Sequence, residues 1–324
     1  MVKLSVRSKA QYEFNKNNNF YTVDPPFPKT MEIEVTNACN HACVFCTNPH
    51  MTRKKRVMDS SLILRIMRDA RELGTDELGL YTTGEPLLVK DLPMLITEGK
   101  GMGFGYIYIS TNGALATPQK AHEIIDAGID SIKFSINAGT RETYLATHKK
   151  DEWDLVINNL KYISNYRKTL KKPLYLFVTY VVTQKNRHEK EAFKAMIEPF
   201  IDEVMFFEQG DQSSYMKALA PQTGKSHQGI CNLPFNRFYV TCEGYMTSCC
   251  VDYQNYLATS DLKVVSLKEA WHSQAVAELR RKHITGELAG TLCGNCWQNR
   301  NDKITPLNNG LAVEFDPNNF LNKL

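Results

Sequence analysis

Three cysteines stand close together in one short stretch of this 324-residue chain. Cys39, Cys43 and Cys46 have the spacing C-x3-C-x2-C. Cysteine thiolates are the usual ligands of iron–sulfur clusters, so this stretch can surround one corner of a four-iron cube. Three ligands leave one iron open, and an open coordination position distinguishes a reactive metal site from a closed structural one. The alternative is a zinc site that lacks one ligand.

The remaining six cysteines all follow residue 230, and none lies between Cys46 and that point. In a reducing compartment, clustered cysteines favour metal binding over disulfides. We therefore expect two metal-bearing regions. The six are Cys231, Cys242, Cys249, Cys250, Cys293 and Cys296.

Composition sets broad limits on the class of protein. An apolar content of 43% allows a sizeable core, and the net charge of +4 indicates no particular partner. No stretch approaches the roughly 18 apolar residues of a membrane span, and Met1 to Lys16 lacks a signal-peptide core. We predict a cytoplasmic protein with no membrane or nucleic-acid partner. The basic run Arg53-Lys54-Lys55-Arg56 is expected to be a solvated loop, with a substrate-anion contact as the alternative.

Strand and helix patterns alternate six times before residue 210. Such an alternation predicts an α/β fold, with a parallel sheet that right-handed crossovers curl into an open, partial (β/α)6 TIM-like barrel. The active site of such a barrel lies at the C-terminal ends of the strands, and the cysteine stretch directly follows the first strand. The expected strands are Met31–Thr36, Glu77–Thr83, Tyr106–Thr111, Asp130–Ile136, Leu174–Thr183 and Glu203–Phe207, and the expected helices cover 60–73, 91–101, 117–127, 140–147, 153–166 and 188–200.

The rest of the chain predicts a small C-terminal α+β domain. A hairpin of Arg237–Thr241 and Tyr245–Ser248 precedes a helix over Leu267–His283. The predicted organisation is an N-terminal extension (1–28), the partial barrel (29–209), a linker (210–230), the second domain (231–297) and a loosely structured tail (298–324).

Residues 29–209 resemble the radical S-adenosylmethionine (SAM) enzymes. The resemblance rests on the cysteine stretch, with Phe45 as the aromatic residue before its last cysteine. It implies a [4Fe–4S] cluster on Cys39, Cys43 and Cys46, with SAM bound at the open iron. In that family, SAM is split reductively to a 5′-deoxyadenosyl radical that abstracts hydrogen from a substrate.

Polar motifs at the predicted strand ends strengthen the resemblance. Thr82-Thr83-Gly84-Glu85-Pro86 resembles the family's Gly-Gly-Glu motif. Gly84 would let a polar ligand approach the backbone, and Glu85 would accept from an ammonium group. The alternative for this motif is a plain turn at the end of a strand. For the other strand-end residues, the alternatives are turns and helix caps. The implied SAM-binding residues are Phe45, Thr83, Gly84, Glu85, Ser110, Asn112, Ser135 and Asn137, the last standing where relatives often carry Asp.

The C-terminal region resembles the SPASM/twitch auxiliary-cluster domains. The resemblance implies one auxiliary [4Fe–4S] cluster with four thiolate ligands, most like the single-cluster form of the 2-deoxy-scyllo-inosamine dehydrogenase type. A zinc ribbon is the alternative. The implied ligands are Cys231, Cys249, Cys293 and Cys296.

Three further residues are candidates for catalysis. Cys250 could be an alternative ligand or a hydrogen donor, whereas Cys242 is expected to be an inert buried thiol. Asp252 could be a base, as in related sulfatase-maturing enzymes, or a loop carboxylate. Glu208 could bind substrate at the end of the sixth strand, or lie at the surface.

Three functional hypotheses remain open on the sequence. The first is a radical SAM dehydrogenase in which the auxiliary cluster takes an electron, the second an epimerase with a cysteine hydrogen donor, and the third a non-catalytic iron–sulfur or zinc protein. Residues 1–28 are too short for an added leader-binding domain, so we expect a sugar or aminocyclitol-type small molecule more than a peptide. Reductive cleavage of SAM implies an electron donor such as flavodoxin or ferredoxin.

Overall fold

A nine-stranded sheet organises the molecule. The computed structural model describes residues 13, 17, 20–210, 229–300 and 302–314. Within them, the strand order is β6-β5-β4-β3-β2-β1-β7-β8-β9. The strands are β1 (Thr30–Ile33), β2 (Glu77–Gly79), β3 (Tyr106–Thr111), β4 (Ser131–Ser135), β5 (Tyr175–Val182), β6 (Glu203–Glu208), β7 (Arg237–Val240), β8 (Tyr245–Thr247) and β9 (Ala258–Asp261).

The first six strands pair in parallel and in sequence order, so the predicted partial barrel is confirmed. Helices cover its outer face because their apolar residues recur along one side; Ile63, Ile66 and Met67 of the first helix are buried. The barrel helices are α1 (Ser60–Glu72), α2 (Leu92–Gly101), α3 (Pro118–Asp126), α4 (Arg141–His148), α5 (Trp153–Tyr166) and α6 (Lys190–Ile197). In the part of the chain described, no helix is long and apolar enough to cross a membrane.

The C-terminal region continues the barrel sheet. Strand β7 pairs in parallel with β1, with Thr30 opposite Arg237, and the predicted hairpin of β7 and β8 is confirmed. Strand β9 adds an antiparallel edge that the sequence did not indicate. Two helices beside the cysteines were also not predicted. The C-terminal helices are α7 (Leu233–Asn236), α8 (Leu267–Trp271), α9 (Gln274–Thr285) and α10 (Leu292–Trp297).

The prediction of a single helix over Leu267–His283 is wrong. The helix is interrupted at Ser273, which has extended backbone, so two helices form. The buried Arg280 side chain stabilises the break. Its guanidinium lies 4.0 Å from the Trp271 ring centroid. It also donates to the backbone carbonyl of Trp271 at 3.1 Å, a group that has no partner within the helix because α8 ends there. Such a contact between two helices leaves no signal in the local periodicity.

The predicted extension, linker and tail lie partly outside the described residues. Residues 302–314 contain no helix or strand, and they are not detached. Leu307 donates its backbone N–H to Tyr256 at 2.9 Å, and Val313 donates to Gln254 at 2.9 Å. This part of the tail therefore packs against the C-terminal region.

Candidate active site

The cysteine loop follows β1, at the C-terminal end of the parallel strands. Cys39, Cys43 and Cys46 are half-buried, and none of the nine cysteines forms a disulfide. Val44 donates its backbone N–H to Thr147 at the end of α4 (2.9 Å), which ties the loop to the barrel wall. Phe45 packs edge-on against His148, with ring centroids 5.8 Å apart. The predicted position of the three thiols at the rim agrees with the structure.

Gly84 has a role in addition to the one predicted. A Cβ atom at Gly84 would lie 2.2 Å from the Thr36 carbonyl oxygen and 2.7 Å from that of Ala38. Glu85 then donates its backbone N–H to Ala38 at 2.8 Å. The glycine therefore admits the backbone of the chain's own cysteine loop, and not only a ligand.

Glu85 braces the ends of two strands. One carboxylate oxygen accepts from Thr111 Oγ1 (2.7 Å) and Leu87 N (3.0 Å), and the other accepts from Asn112 N (2.8 Å). Burial raises the pKa of this carboxyl to about 7, although the three donors favour its charged form. A direct contact with the SAM ammonium stays a prediction. Thr83, in the same motif, donates its hydroxyl to Glu34, and its carbonyl accepts from Asn48 at 2.7 Å.

Asn112 connects the third strand to the cysteine loop. Its side-chain amide donates to Asn40 Oδ1 (2.8 Å) and lies 3.9 Å from Cys39 Sγ. Next to it, a row of hydroxyls crosses three strands: Ser110 and Ser135 are 3.4 Å apart, and Ser135 and Thr179 3.2 Å. Ser110 and Ser135 are half-buried, so this row can offer hydrogen bonds to a ligand at the rim.

Asn137 is buried behind the rim. Its side-chain oxygen accepts from Val181 N at 2.7 Å, and its amide lies 3.2 Å from His148 Nε2. The residue is only 1% exposed. Its predicted contact with SAM stays a prediction, and the geometry shows that Asn137 positions His148.

A buried relay that the sequence did not indicate leads from Glu152 to a cluster thiol. His41 Nε2 lies 2.7 Å from Glu152, and the two Nδ1 atoms of His41 and His148 are 3.2 Å apart. Burial lowers the pKa of His148 to about 3, so the ring is neutral. Since Asn137 N donates to its Nε2 at 3.3 Å, Nδ1 carries the hydrogen. This N–H faces two acceptors, His41 Nδ1 at 3.2 Å and Cys43 Sγ at 3.4 Å, so His148 places a ring N–H beside the thiol.

The three thiols of the loop fit an iron–sulfur cluster. Burial raises the pKa of Cys39 to about 11 and that of Cys43 further, and the neighbouring thiols add to the shift. Cys46 Sγ accepts from Asn48 N at 3.4 Å. Thiols so desolvated become thiolates only when a metal compensates the charge. The donor set is sulfur, which suits iron–sulfur clusters.

A second group of thiols forms in the C-terminal region. Burial raises the pKa of Cys293 well above its usual value, and the proximity of Cys231 and Cys296 adds to this shift. Cys249 in turn lies close to Cys296 and Cys250. The four predicted ligands are therefore neighbours, although Cys231 and Cys296 are 65 positions apart in the chain. All four are half-buried sulfur donors, which fits a closed cluster.

The two groups of thiols are connected by one side chain. Tyr253 lies four residues after Cys249, and its hydroxyl is 3.7 Å from Cys46 Sγ. Its buried ring belongs to an apolar cluster that also contacts Cys46, Cys249 and Cys293. Tyr253 was not among the predicted residues, because nothing in its local sequence indicates this long-range contact.

The three predicted catalytic residues have different settings. Asp252 is buried, which raises its pKa to about 6, and it accepts from Thr247 Oγ1, Tyr256 N and Leu257 N at 2.7–2.9 Å. It lines a small cavity with Cys250 and Thr83. Glu208 ends β6 as an exposed residue and pairs with Arg187 at 2.5 Å, so the surface alternative describes it better.

Arg53 is not part of a solvated loop. Its guanidinium is 1% exposed and donates to Glu34, to Glu243 (2.9 Å) and towards Cys242 Sγ (3.3 Å). The rest of the basic run is exposed, as expected. Because Glu34 follows β1 and Glu243 lies in the β7–β8 turn, Arg53 joins the barrel to the C-terminal region. The prediction for Cys242 as a buried thiol agrees with this contact.

The fold and the two thiol groups together define an iron–sulfur enzyme with a reactive first cluster. The model of the radical SAM superfamily matches residues 33–196, and an iron-sulfur cluster-binding domain model, SPASM, matches residues 231–297. The chain belongs to the radical SAM superfamily. SAM and [4Fe–4S] clusters are accordingly its cofactors, and the non-catalytic hypothesis is set aside.

Known proteins resemble the chain to different extents. It is 32% identical to probable GTP 3′,8-cyclases of Saccharolobus solfataricus (over 164 residues, 51% of this chain and 50% of the relative) and Metallosphaera sedula (over 205 residues, 62% and 60%). The chain thus spans half to three-fifths of these relatives. The crystal structure of BtrN with AdoMet and 2-DOIA has TM-score 0.58 and 18% identity, over 88% of this chain and 97% of BtrN. Streptococcus suis SuiB bound to precursor peptide SuiA has TM-score 0.64 and 14% identity, over 85% and 70%.

Proposed function

We propose that this radical SAM enzyme is a dehydrogenase of a sugar or aminocyclitol-type small molecule, oxidising a carbon that carries OH or NH. The observation that supports the proposal is the second thiol group, which offers four candidate cysteine ligands and is linked to the first by Tyr253. A cluster with four protein ligands has no open iron for substrate, so electron transfer is its natural role.

The chain's residues would divide the work as follows. Cys39, Cys43 and Cys46 hold the first cluster, and the hydroxyls of Ser110 and Ser135 offer hydrogen bonds to SAM. When bound, SAM and the first cluster would remove a hydrogen atom from the substrate, and the auxiliary cluster would accept one electron. A two-electron oxidation then leaves one proton to be taken by a base of the protein.

Asp252 is the proposed base. Its raised pKa of about 6 lies nearer to neutral pH than that of an ordinary carboxyl, which improves proton transfer. The three donors around it fix the orientation of the carboxylate at the wall of the small cavity. A reduced donor such as flavodoxin or ferredoxin would supply the electron for SAM cleavage.

The small-molecule class is supported by the match to BtrN, which was crystallised with AdoMet and 2-DOIA and resembles this chain over 88% of its length. SuiB, which was crystallised with a precursor peptide, keeps a peptide substrate as the alternative. The cyclase activity of the archaeal relatives is a weaker candidate, because the matches cover only half to three-fifths of those proteins.

A radical SAM epimerase is the second candidate, and the position of Cys250 favours it. Cys249 lies near Cys296. Cys250 is hydrogen-bonded to Tyr239 of β7 and lies near Glu32 and Arg237, on the inner face of the barrel. A thiol on that face could return a hydrogen atom to the substrate.

Anaerobic reconstitution followed by incubation with SAM and dithionite tests the proposal. We expect about eight irons per chain, at four per cube, and release of 5′-deoxyadenosine. Zinc in place of iron, or no SAM cleavage, would refute it. With a turned-over substrate, Cys250→Ala should still form a ketone if the enzyme is a dehydrogenase. Loss of solvent deuterium from the product of Cys250→Ala, but not of Cys242→Ala, would identify an epimerase instead.

A further inference from the structure

We propose that Lys133 and Arg237 bind an anionic group of the substrate, a carboxylate or a phosphate, on the inner face of the partial barrel. This inference rests on the proposed function, since it assigns a chemical class to the small molecule. It is carried by two cations that have unused hydrogen-bond donors and share that face.

Strand geometry places Lys133 below the rim. Lys133 and Ser135 are two residues apart on β4, so their side chains point to the same face, about 7 Å apart along the strand. Ser135 belongs to the hydroxyl row at the rim, where SAM is expected. A group held by Lys133 would therefore lie deeper in the barrel than SAM, where it can face the cofactor.

Lys133 has no acidic partner in the part of the chain that the structure describes. Its ammonium donates to the Tyr81 hydroxyl at 3.1 Å and lies 4.9 Å from the centroid of that ring. An ammonium carries three donors, so two stay available. Burial lowers the pKa of Lys133, with Glu32 and Cys250 opposing the shift and Arg237 adding to it. A half-buried cation in this setting gains stability from an anion.

Arg237 is the second cation. It lies on β7 and pairs with Glu32 at 2.5 Å, and the Tyr108 hydroxyl donates to the same carboxylate oxygen at 3.1 Å. Arg237 Nε is nevertheless buried without a hydrogen-bond partner among the described groups, while 31% of the side chain is exposed. Buried unsatisfied donors are rare in native proteins and call for a partner.

The two cations differ in how they are compensated. Glu32 pairs with Arg237, and Glu77 and Glu203 stand on the same face of the sheet, but Lys133 has no ion pair with any of them. A free ammonium group of a substrate would meet like charge at Lys133, whereas a carboxylate or phosphate would accept from its free donors. Within the proposed substrate class, the geometry therefore points to the acidic members.

Isothermal titration of the reconstituted, SAM-bound enzyme with inorganic phosphate and with acetate tests the inference. We expect Lys133→Met to weaken binding of the preferred anion at least tenfold, about 1.4 kcal/mol, and Lys133→Arg to retain it. Lys54→Met, at an exposed lysine, is the matched control and should bind as the wild type does. Tighter phosphate binding would indicate a phosphorylated substrate, and tighter acetate binding an acid.

A second variant guards against a general loss of structure. Arg237→Lys keeps a cation beside Glu32 but removes Nε–H, so it should weaken anion binding severalfold while thermal unfolding stays close to that of the wild type. Equal anion affinity in Lys133→Met and wild type, or no anion binding by the wild type, would overturn the inference. So would a parallel loss of SAM binding in Lys133→Met, since the lysine would then serve SAM. Failure of the wild type to cleave SAM would refute the proposed function separately.

Discussion

Replacing Arg53 by Met should destabilise the protein strongly, although the residue belongs to a surface-like basic run. The side chains of Arg53, Glu34 and Glu243 are 1%, 2% and 10% exposed. Without the guanidinium, two nearby carboxylates lie buried without a counter-charge. Breaking a buried ion pair in this way costs about 3–5 kcal/mol.

The expected change in melting temperature follows from chain length. An unfolding entropy of about 2.1 cal/mol/K per residue gives ~0.7 kcal/mol/K for this chain, so Arg53→Met should lower Tm by about 4–7 °C. Lys54→Met removes an exposed charge from the same run and should change stability by less than about 0.5 kcal/mol, or under 1 °C. Differential scanning calorimetry of the anaerobically reconstituted variants measures both.

The effect should also depend on pH with a definite sign. Burial alone would raise the pKa of Glu243, but the charge of Arg53 holds it below its usual value. This pair therefore contributes stability above the ordinary carboxyl pKa of about 4.3, which is lost as the pH falls through the lower folded pKa. The gap between wild type and Arg53→Met should narrow in acid. Equal melting of Arg53→Met and Lys54→Met at pH 7.5 would refute the reasoning.

Three other predictions concern the rim. Gly84→Ala should lose most of the reconstituted iron, because its Cβ would displace the cysteine loop, whereas Gly101→Ala, with open space around its Cβ, should keep it; iron counting decides. Because the pKa of Glu85 is raised to about 7, the wild type should lose stability as pH rises from 4.5 to 7, by up to ~3 kcal/mol, and Glu85→Gln should lack this slope in urea titrations at several pH values. His148→Leu removes the ring N–H that lies beside Cys43 Sγ and should lower the midpoint potential of the first cluster in an EPR-monitored redox titration, and an unchanged potential would contradict an effect of His148 on that thiolate.

Much of the fold could be predicted because its signals are local. The alternation of Tyr106–Thr111 is matched by alternating burial, and helix α5 has the predicted bounds. The first thiol group could be predicted because the spacing of its three cysteines places their thiols on one short loop.

The missed features depend on partners far away in the chain. The burial of Arg53 depends on Glu243, 190 residues later, and the run Arg53-Lys54-Lys55-Arg56 does not distinguish its first residue from the others. The contacts of Asn137 with His148 and with strand β5 were likewise not indicated by its position at the end of β4. The break before α9 depends on the contact between Arg280 and Trp271. Local patterns predict elements, whereas tertiary contacts decide where polar side chains are used.

The pairing of β1 with β7 has a consequence for biosynthesis. Thr30 and Arg237 are neighbours in the sheet but 207 positions apart in the chain. At about 5–20 residues per second, a ribosome needs roughly 10–40 s to extend from one to the other. During that interval the nascent barrel presents the backbone of β1 as an unpaired edge, next to the cysteine loop, and exposed edges of this kind promote aggregation. The C-terminal region therefore also protects this edge once β7 has been synthesised and pairs with β1. Truncation before β7 should yield aggregates rather than a smaller enzyme.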